Sequence, residues 1–153
     1  MSHVVVISGG LGSPSSTRVL SDDIVARLRE SLALKGENLE ATVVELRELA
    51  HPITDALLTG FPTGELAKVI EKVAEADALV VVSPTFSASI SGLVKSFFDI
   101  LETGTLTGKP VLMAATGGTE RHSLMIDFAM RPLLSYLGAL PVRTGVFAAT
   151  SDF

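Results

Sequence analysis

The sequence has 153 residues, of which 47% are hydrophobic and 19% charged, and its net charge is −5. This length predicts a single domain, residues 1–153, with a substantial core. The absence of cysteine excludes disulfides, thiolate catalysis and cysteine-ligated metals. Without a basic cluster, an apolar run of roughly 20 residues or a signal peptide, we expect a cytoplasmic protein with neither nucleic-acid nor membrane partners.

Short β-branched runs alternate with helical patterns along the chain. In order, we predict a strand at 4–7, a helix through 20–32, a strand at 41–46, a helix at 66–73, a strand at 78–82, a helix at 93–101, a strand at 111–115, a helix at 124–137 and a strand at 142–149. We expect Pro132 to kink or break the last helix. Residues 50–64 are expected to be a long loop, whose Leu57, Leu58 and Phe61 cover the site, pack on a partner subunit or cap the core.

This alternation predicts an α/β fold, because continuous apolar strands are typical of parallel sheets covered on both faces. The expected arrangement is a three-layer sandwich with a five-stranded parallel sheet in the order 2-1-3-4-5. A helix normally follows the fifth strand of such a sheet, but the sequence ends at Phe153. We therefore expect either a truncated C-terminus or a second subunit that covers the exposed face.

The loop after the first strand has the composition of a phosphate site. Gly9-Gly10 is followed, at the start of a helix, by hydroxyls and a guanidinium from Ser13, Ser15, Ser16, Thr17 and Arg18. Helix N-termini offer free N–H groups and a positive dipole end to phosphate. The loop matches neither the dinucleotide fingerprint nor the Walker pattern, which favours a mononucleotide. The alternative is that these hydroxyls only cap the helix.

Two further loops are expected at the same edge of the sheet, where ligands bind parallel α/β sheets. The second supplies Pro84, Thr85, Phe86 and Ser87, and the third supplies Thr116, Gly117, Gly118 and His122. Phe86 offers a flat face to a planar ligand, and glycine lets the backbone approach one closely. The alternatives are that Phe86 belongs to the core, that the glycines form a simple turn and that His122 is structural. The three histidines show no metal-ligand spacing, so no metal site is expected.

The sequence resembles the NAD(P)H-dependent FMN reductases of the flavodoxin superfamily over nearly its whole length. It is similar in particular to those that supply reduced flavin to two-component monooxygenases of the luciferase-like and alkanesulfonate type. The resemblance rests on Gly12-Ser13-Pro14-Ser15 with Arg18, on Ser83-Pro84-Thr85-Phe86 leading to Ser91-Gly92-Leu93-Val94-Lys95 and Asp99, and on Thr116-Gly117-Gly118-Thr119 with His122, Asp127 and Arg131-Pro132-Leu133.

The resemblance implies a flavodoxin-like fold, FMN as cofactor, NADPH or NADH as electron donor, and a homodimer or homotetramer. It assigns Ser13, Ser15, Ser16, Thr17 and Arg18 to the flavin phosphate, Pro84, Thr85, Phe86 and Ser87 to the isoalloxazine ring, and Thr116, Gly117 and Gly118 to the other ring edge. Because hydride transfer uses the cofactor's own chemistry, no catalytic acid or base is expected. His122 is a candidate contact to nicotinamide or flavin. Two departures are Phe86, where many relatives carry tyrosine, and the absence of a final helix.

Three rival functions remain open: a flavodoxin-like electron carrier, a quinone, azo or metal-ion reductase, and a non-catalytic subunit of a monooxygenase. Flavodoxins usually hold the flavin ring between aromatic side chains. This chain has no tryptophan, and its one tyrosine, Tyr136, falls late in the last predicted helix. One face of the ring is therefore expected to be open to nicotinamide, which favours a reductase. The sequence decides neither between NADH and NADPH nor between FMN as a prosthetic group and as a released substrate.

Overall fold

Strands and helices alternate along the chain in the computed structural model, which describes all of residues 1–153. The strands are β1 (Ser2–Ser8), β2 (Leu39–Glu45), β3 (Ala78–Phe86), β4 (Ser89–Ile90), β5 (Pro110–Gly117), β6 (Leu140–Pro141) and β7 (Val146–Ala149). The α-helices are α1 (Ser16–Ala33), α2 (Ala50–Thr59), α3 (Gly64–Glu75), α4 (Gly92–Asp99) and α5 (Arg131–Tyr136). Shorter helical turns span Leu46–Leu49, Glu120–His122, Ile126–Met130 and Thr150–Asp152. None of the helices combines the length and the apolar character needed to cross a membrane.

The sheet has the order β2-β1-β3-β5, and β6 and β7 both pair with β5. Every pairing is parallel except the short β3–β4 hairpin. With β5 as the predicted fourth strand and β7 as the observed part of the predicted fifth, this is the order 2-1-3-4-5. The predicted flavodoxin-like α/β fold is confirmed. Because the strands are parallel, the carboxyl ends of β1, β3 and β5 meet at one edge.

The helices cover the two faces of the sheet unequally. On one face, α2 to α5 and neighbouring turns pack on a core of 24 buried residues, in which the rings of Phe97 and Phe98 meet edge to face at 5.4 Å. On the other face, α1 is the one helix over a core of 9 buried residues. There Leu28, Leu112 and Val146 line a cavity of about 320 Å³ between α1 and the sheet. This face is the one on which sequence reasoning expected a further covering element.

The loop predicted for residues 50–64 is wrong, because most of it is the helix α2. Pro52 lies in the first turn of this helix. Backbone N–H groups of a first turn have no acceptor within the helix, so the missing N–H of proline costs no hydrogen bond there. Ile53 and Ala56 are buried three residues apart, and Gly60 ends the helix with a φ of 82°. Leu57, Leu58 and Phe61 are exposed on α2 and just beyond it.

The third strand extends beyond its predicted end at residue 82 and includes the segment expected to be a loop. β1 ends at Ser8, opposite Val82, whereas β5 continues beside β3 as far as Pro84. Beyond Val82, β3 is therefore an edge on its β1 side, where proline is tolerated. Ser87 and Ala88, with φ of 50° and 63°, then turn the chain back into β4.

Only the second half of the strand predicted at residues 142–149 forms, as β7 from Val146. Arg131 donates from Nη1 to the carbonyl of Val142 at 3.0 Å and from Nη2 to the carbonyl of Arg143 at 2.9 Å. Because a side chain satisfies these carbonyls, the chain leaves the strand ladder between β6 and β7. The chain does not break at Pro132: the π-helical turn Ile126–Met130 passes directly into α5, whose first turn contains Pro132, and Met130 and Arg131 keep helical dihedral angles.

Candidate functional site

A cavity of about 280 Å³ opens at the carboxyl ends of the central strands. It is lined by Ser16, Pro84, Thr85, Phe86, Thr116, Gly117, Gly118, Thr150 and Phe153. Seven of these residues come from the three loops that the sequence analysis selected. The volume is close to the lower end of the range for small-molecule pockets, about 300–1,000 Å³. The fold therefore brings the three predicted loops to one concave site.

The loop between β1 and α1, residues 9–15, leads into the N-terminus of α1. Ser15 caps this helix, because its Oγ accepts a hydrogen bond from the Arg18 N–H at 3.2 Å. A Cβ at Gly10 would lie only 2.0 Å from that Oγ, so the close approach requires glycine. Ser13 and Ser16 are exposed, and neither hydroxyl has a hydrogen-bond partner in the protein. Both remain available to a ligand.

Thr17 and Thr116 connect the first and third loops. Their Oγ1 atoms are 3.0 Å apart, and the two residues are buried, with exposed fractions of 2% and 5%. The Thr17 hydroxyl is therefore engaged within the protein and does not line the cavity. Its contribution to the site is to hold the start of α1 against the end of β5.

Arg18 lies beside the first loop in a cluster of charges. Its Nε donates to Oδ1 of Asp22 at 2.9 Å, and its Nη1 is 3.7 Å from Oε1 of Glu45. The hydrogen bond to Asp22 raises the pKa of Arg18 above its ordinary value, and burial opposes this rise only in part. Asp22 and Asp23 are exposed on α1.

The end of β3 forms one wall of the cavity. The buried Ser83 hydroxyl donates to the Pro84 carbonyl at 2.8 Å and accepts from the Ser91 N–H at 3.1 Å, which ties the hairpin to the start of α4. Phe86 is 46% exposed, which contradicts the alternative that it belongs to the core. Thr85 Oγ1 is buried without a partner, an arrangement that costs about 1–3 kcal/mol unless a ligand satisfies it. Ser87 is exposed in the hairpin turn.

The two glycines of the third loop meet different surroundings. A Cβ at Gly117 would lie 2.8 Å from Cζ of Phe147, whereas a Cβ at Gly118 would meet no atom within 4 Å. A side chain at Gly118 would occupy open space at the cavity wall. The backbone there is consequently accessible to a flat ligand.

His122 lies apart from this cavity. It ends the helical turn Glu120–His122 and lines a second depression of about 320 Å³ with Ala88, Leu124 and Phe128. No group of three or more histidine, aspartate or glutamate side chains is placed to hold a metal ion.

The largest cavity, about 900 Å³, lies between β2, α2 and α3. Phe61 lines it, and so do the carboxylates Glu45, Glu48, Asp55 and Glu65. This acidic wall would repel an anionic phosphate. The smaller cavity, which lies beside the N-terminus of α1, has no acidic side chain in its lining.

Sequence reasoning missed three residues at this edge of the sheet. Thr150 and Phe153 line the cavity, and Arg47 reaches the first loop by donating from Nη1 to the Gly12 carbonyl at 2.6 Å. All three follow the carboxyl end of a strand, β7 or β2. Ligands bind parallel α/β sheets at the carboxyl ends of the strands, so the same rule that selected the other loops also selects these segments.

Comparisons with known proteins identify the family of this chain. The family model described as NADPH-dependent FMN reductase matches residues 2–153. An FMN reductase (NADPH) of Pseudomonas aeruginosa is 40% identical over 150 residues, which are 98% of this chain and 78% of that protein. The NADH-dependent FMN reductase SfnE of Pseudomonas putida is 39% identical, with the same coverage of both chains.

Solved structures lead to the same family. An oxidoreductase from Corynebacterium diphtheriae superposes with a TM-score of 0.97 at 47% identity, over 100% of this chain and 84% of the other. The apo form of the NADH:FMN oxidoreductase EMOB superposes with a TM-score of 0.84 at 31% identity, over 99% and 77%. The chain belongs to the NADPH-dependent FMN reductase family, and it is an NAD(P)H-dependent FMN reductase.

Proposed function

We propose that FMN binds at the carboxyl ends of β1, β3 and β5, with its phosphate on the β1–α1 loop and its ring in the 280 Å³ cavity. The observation that carries this proposal is the meeting of the three loops in one cavity beside the N-terminus of an 18-residue helix. The unpartnered hydroxyls of Ser13 and Ser16 supply donors for the phosphate, and Ser15, Thr17 and Arg18 hold the loop and the helix start in place.

The residues around the cavity bind and orient the reactants. FMN, when bound, supplies the electron chemistry by accepting a hydride from NADPH or NADH. Pro84 stiffens the wall that carries Thr85 and Phe86, and a ligand edge that reaches the Thr85 hydroxyl would satisfy it. Thr116, Gly117 and Gly118 form the opposite wall. In this arrangement Ser87 and His122 lie outside the cavity.

No tryptophan or tyrosine lines the flavin cavity, which supports a reductase over an electron carrier. Tyr136 is 88% exposed and lines a different cavity, with Leu101 and Leu137. Two aromatic side chains line the flavin cavity: Phe86, at the end of β3, and Phe153. Solved structures of a quinone reductase and an azoreductase are 16% and 13% identical to this chain, a likeness that shows the fold alone.

The first experiment is a titration of the protein with FMN, followed by flavin fluorescence, and then the addition of NADPH or NADH. We expect saturable binding of FMN and steady oxidation of the nicotinamide when free FMN is added. Tight flavin binding without turnover would instead identify an electron carrier. Comparison of the rates with FMN and with a quinone separates the remaining rival on the same fold.

The phosphate assignment has a sharper test in the double variant Ser13→Ala/Ser16→Ala. Loss of hydrogen bonds to a charged phosphate is expected to raise the Kd of FMN about tenfold or more. The Kd of riboflavin, which lacks the phosphate, should stay the same. Ser31→Ala, an exposed serine near the far end of α1, is the matched control and should affect neither ligand. An equal loss for both flavins would contradict the assignment.

Homo-oligomerisation and a partner monooxygenase are the further parts of the proposal, with residues 1–153 as a single domain. Leu124 and Phe128 are 62% and 77% exposed on one surface beside the β3–β4 hairpin. Neighbouring exposed apolar side chains of this kind mark interaction surfaces. Sedimentation should show a dimer or tetramer that Phe128→Glu dissociates and Tyr136→Glu, at another exposed position, leaves intact.

The proposal of a partner monooxygenase is supported by the resemblance to flavin-supplying reductases. It is tested by measuring whether this protein stimulates a flavin-dependent monooxygenase.

A further inference from the structure

The β1–α1 loop is attached to the rest of the protein by very few hydrogen bonds. At its start the Gly9 N–H donates to the Val82 carbonyl at 2.9 Å, and at its end the Ser15 side chain caps α1. Between these points, the bond from Arg47 to the Gly12 carbonyl at 2.6 Å is the one hydrogen bond made by the loop. Arg47 is 35 residues away along the chain, in the helical turn after β2.

Arg47 is itself held in place by Glu45. Its Nη2 is 3.6 Å from Oε2 of Glu45, while the other carboxylate oxygen, Oε1, is 3.7 Å from Nη1 of Arg18. The Glu45 side chain is only 17% exposed, so this charge lies in a partly dry environment between two guanidinium groups. The planar guanidinium lets Arg47 bind a carboxylate with one nitrogen and a carbonyl with the other.

The bond from Arg47 determines the direction of a peptide group in the loop. In a planar trans peptide the C=O and the N–H point in opposite directions. The Gly12–Ser13 peptide is trans. While the Gly12 carbonyl points at Arg47, the Ser13 N–H points away from it, and this N–H has no partner in the protein.

We propose that Arg47 is a positioning residue for flavin binding, which aims the Ser13 N–H at the FMN phosphate by holding the Gly12 carbonyl. This inference rests on the proposed phosphate site. Without the Arg47 bond the peptide is free to turn, and a loop carbonyl then faces the phosphate, where it repels the anion. Arg47 acts through the peptide and not by touching the ligand, so the effect is confined to flavins that carry the phosphate.

The test measures the Kd of FMN and of riboflavin by fluorescence quenching for the wild type, Arg47→Ala and Arg27→Ala. Arg27 is an exposed arginine of α1 that pairs with Glu30, so it controls for the loss of one positive charge. We expect Arg47→Ala to raise the Kd of FMN about tenfold, the equivalent of one hydrogen bond to an anion. The Kd of riboflavin should stay within about twofold, and Arg27→Ala should change neither value.

Two outcomes would overturn the role of Arg47: an unchanged Kd of FMN in Arg47→Ala, or an equal loss of FMN and riboflavin. If the alanine variant does not fold, Arg47→Lys replaces it, because lysine keeps the positive charge beside Glu45. Arg47→Lys should also raise the Kd of FMN more than the Kd of riboflavin, but by a smaller factor. A wild type that binds FMN and riboflavin equally would overturn the phosphate site itself. A wild type that prefers FMN, beside an unaffected Arg47→Ala, would overturn the role of Arg47 alone.

Discussion

The buried hydrogen bond between Thr17 and Thr116 can be tested by a double-mutant cycle with Thr17→Val, Thr116→Val and the double variant. The two hydroxyls are 3.0 Å apart and have no other side-chain partner. Valine keeps the branched shape of threonine and replaces the hydroxyl with a methyl group. Each single substitution therefore leaves one buried hydroxyl unpaired, while the double substitution leaves none.

The expected free energies follow from this count of unpaired groups. A buried polar group that loses its partner costs about 1–3 kcal/mol, whereas removal of both partners is nearly neutral. Each single variant should lose about 1–3 kcal/mol of unfolding free energy, and the double variant should lose less than the two singles together. The resulting coupling energy should be about 1 kcal/mol or more. For a domain of this size, each kcal/mol corresponds to about 2–4 °C in Tm.

Urea denaturation of the protein without flavin is the appropriate assay, because it separates the stability of the loop junction from ligand binding. Midpoints and slopes are measured for all four proteins, and equal slopes allow the free energies to be compared. Additive losses in the single variants would refute the reasoning. They would mean that each hydroxyl contributes independently and that the bond does not join the two loops.

Three further substitutions have definite expected outcomes. Gly10→Ala places a Cβ 2.0 Å from Ser15 Oγ, so it should displace the cap of α1, cost about 1 kcal/mol in urea denaturation and weaken FMN binding. Phe97→Ala empties a fully buried position beside Phe98 and should cost about 3–5 kcal/mol of unfolding free energy by the same method. Lys109→Met removes the ammonium that donates to the last carbonyls of α3, and a loss of about 1 kcal/mol in thermal or urea unfolding is expected; an unchanged midpoint would show that water replaces it.

The periodicity of apolar residues was enough to predict most strands and helices, and the sheet order followed from the usual topology of alternating strands and helices. It failed where a side chain or a local cap overrides the pattern. The helix α2 was not predicted, because residues 50–64 were expected to be a loop; its Pro52 falls in the first turn, where proline is tolerated. The fifth strand was predicted as continuous because the two carbonyl contacts of Arg131 come from a separate helix.

The candidate site was also predicted from the sequence only in part. The composition of the loops identified seven of the residues that line the cavity, because hydroxyls and glycines at strand ends have few other reasons to cluster. Composition did not distinguish a hydroxyl that faces the cavity, as in Ser16, from one that is engaged inside the protein, as in Thr17. It also gave no sign of Arg47, whose contact with the loop depends on the distance between two strand ends.

The unequal cores on the two faces of the sheet have a consequence for local unfolding. With 9 buried residues under α1 against 24 under the other helices, detachment of α1 should need less free energy than global unfolding. Backbone amides of α1 should then exchange with deuterium faster than those of β1 or β3. Because the same helix begins at the proposed phosphate site, bound FMN should slow this exchange, by the equivalent of about 2.7 kcal/mol at a hundredfold excess over Kd.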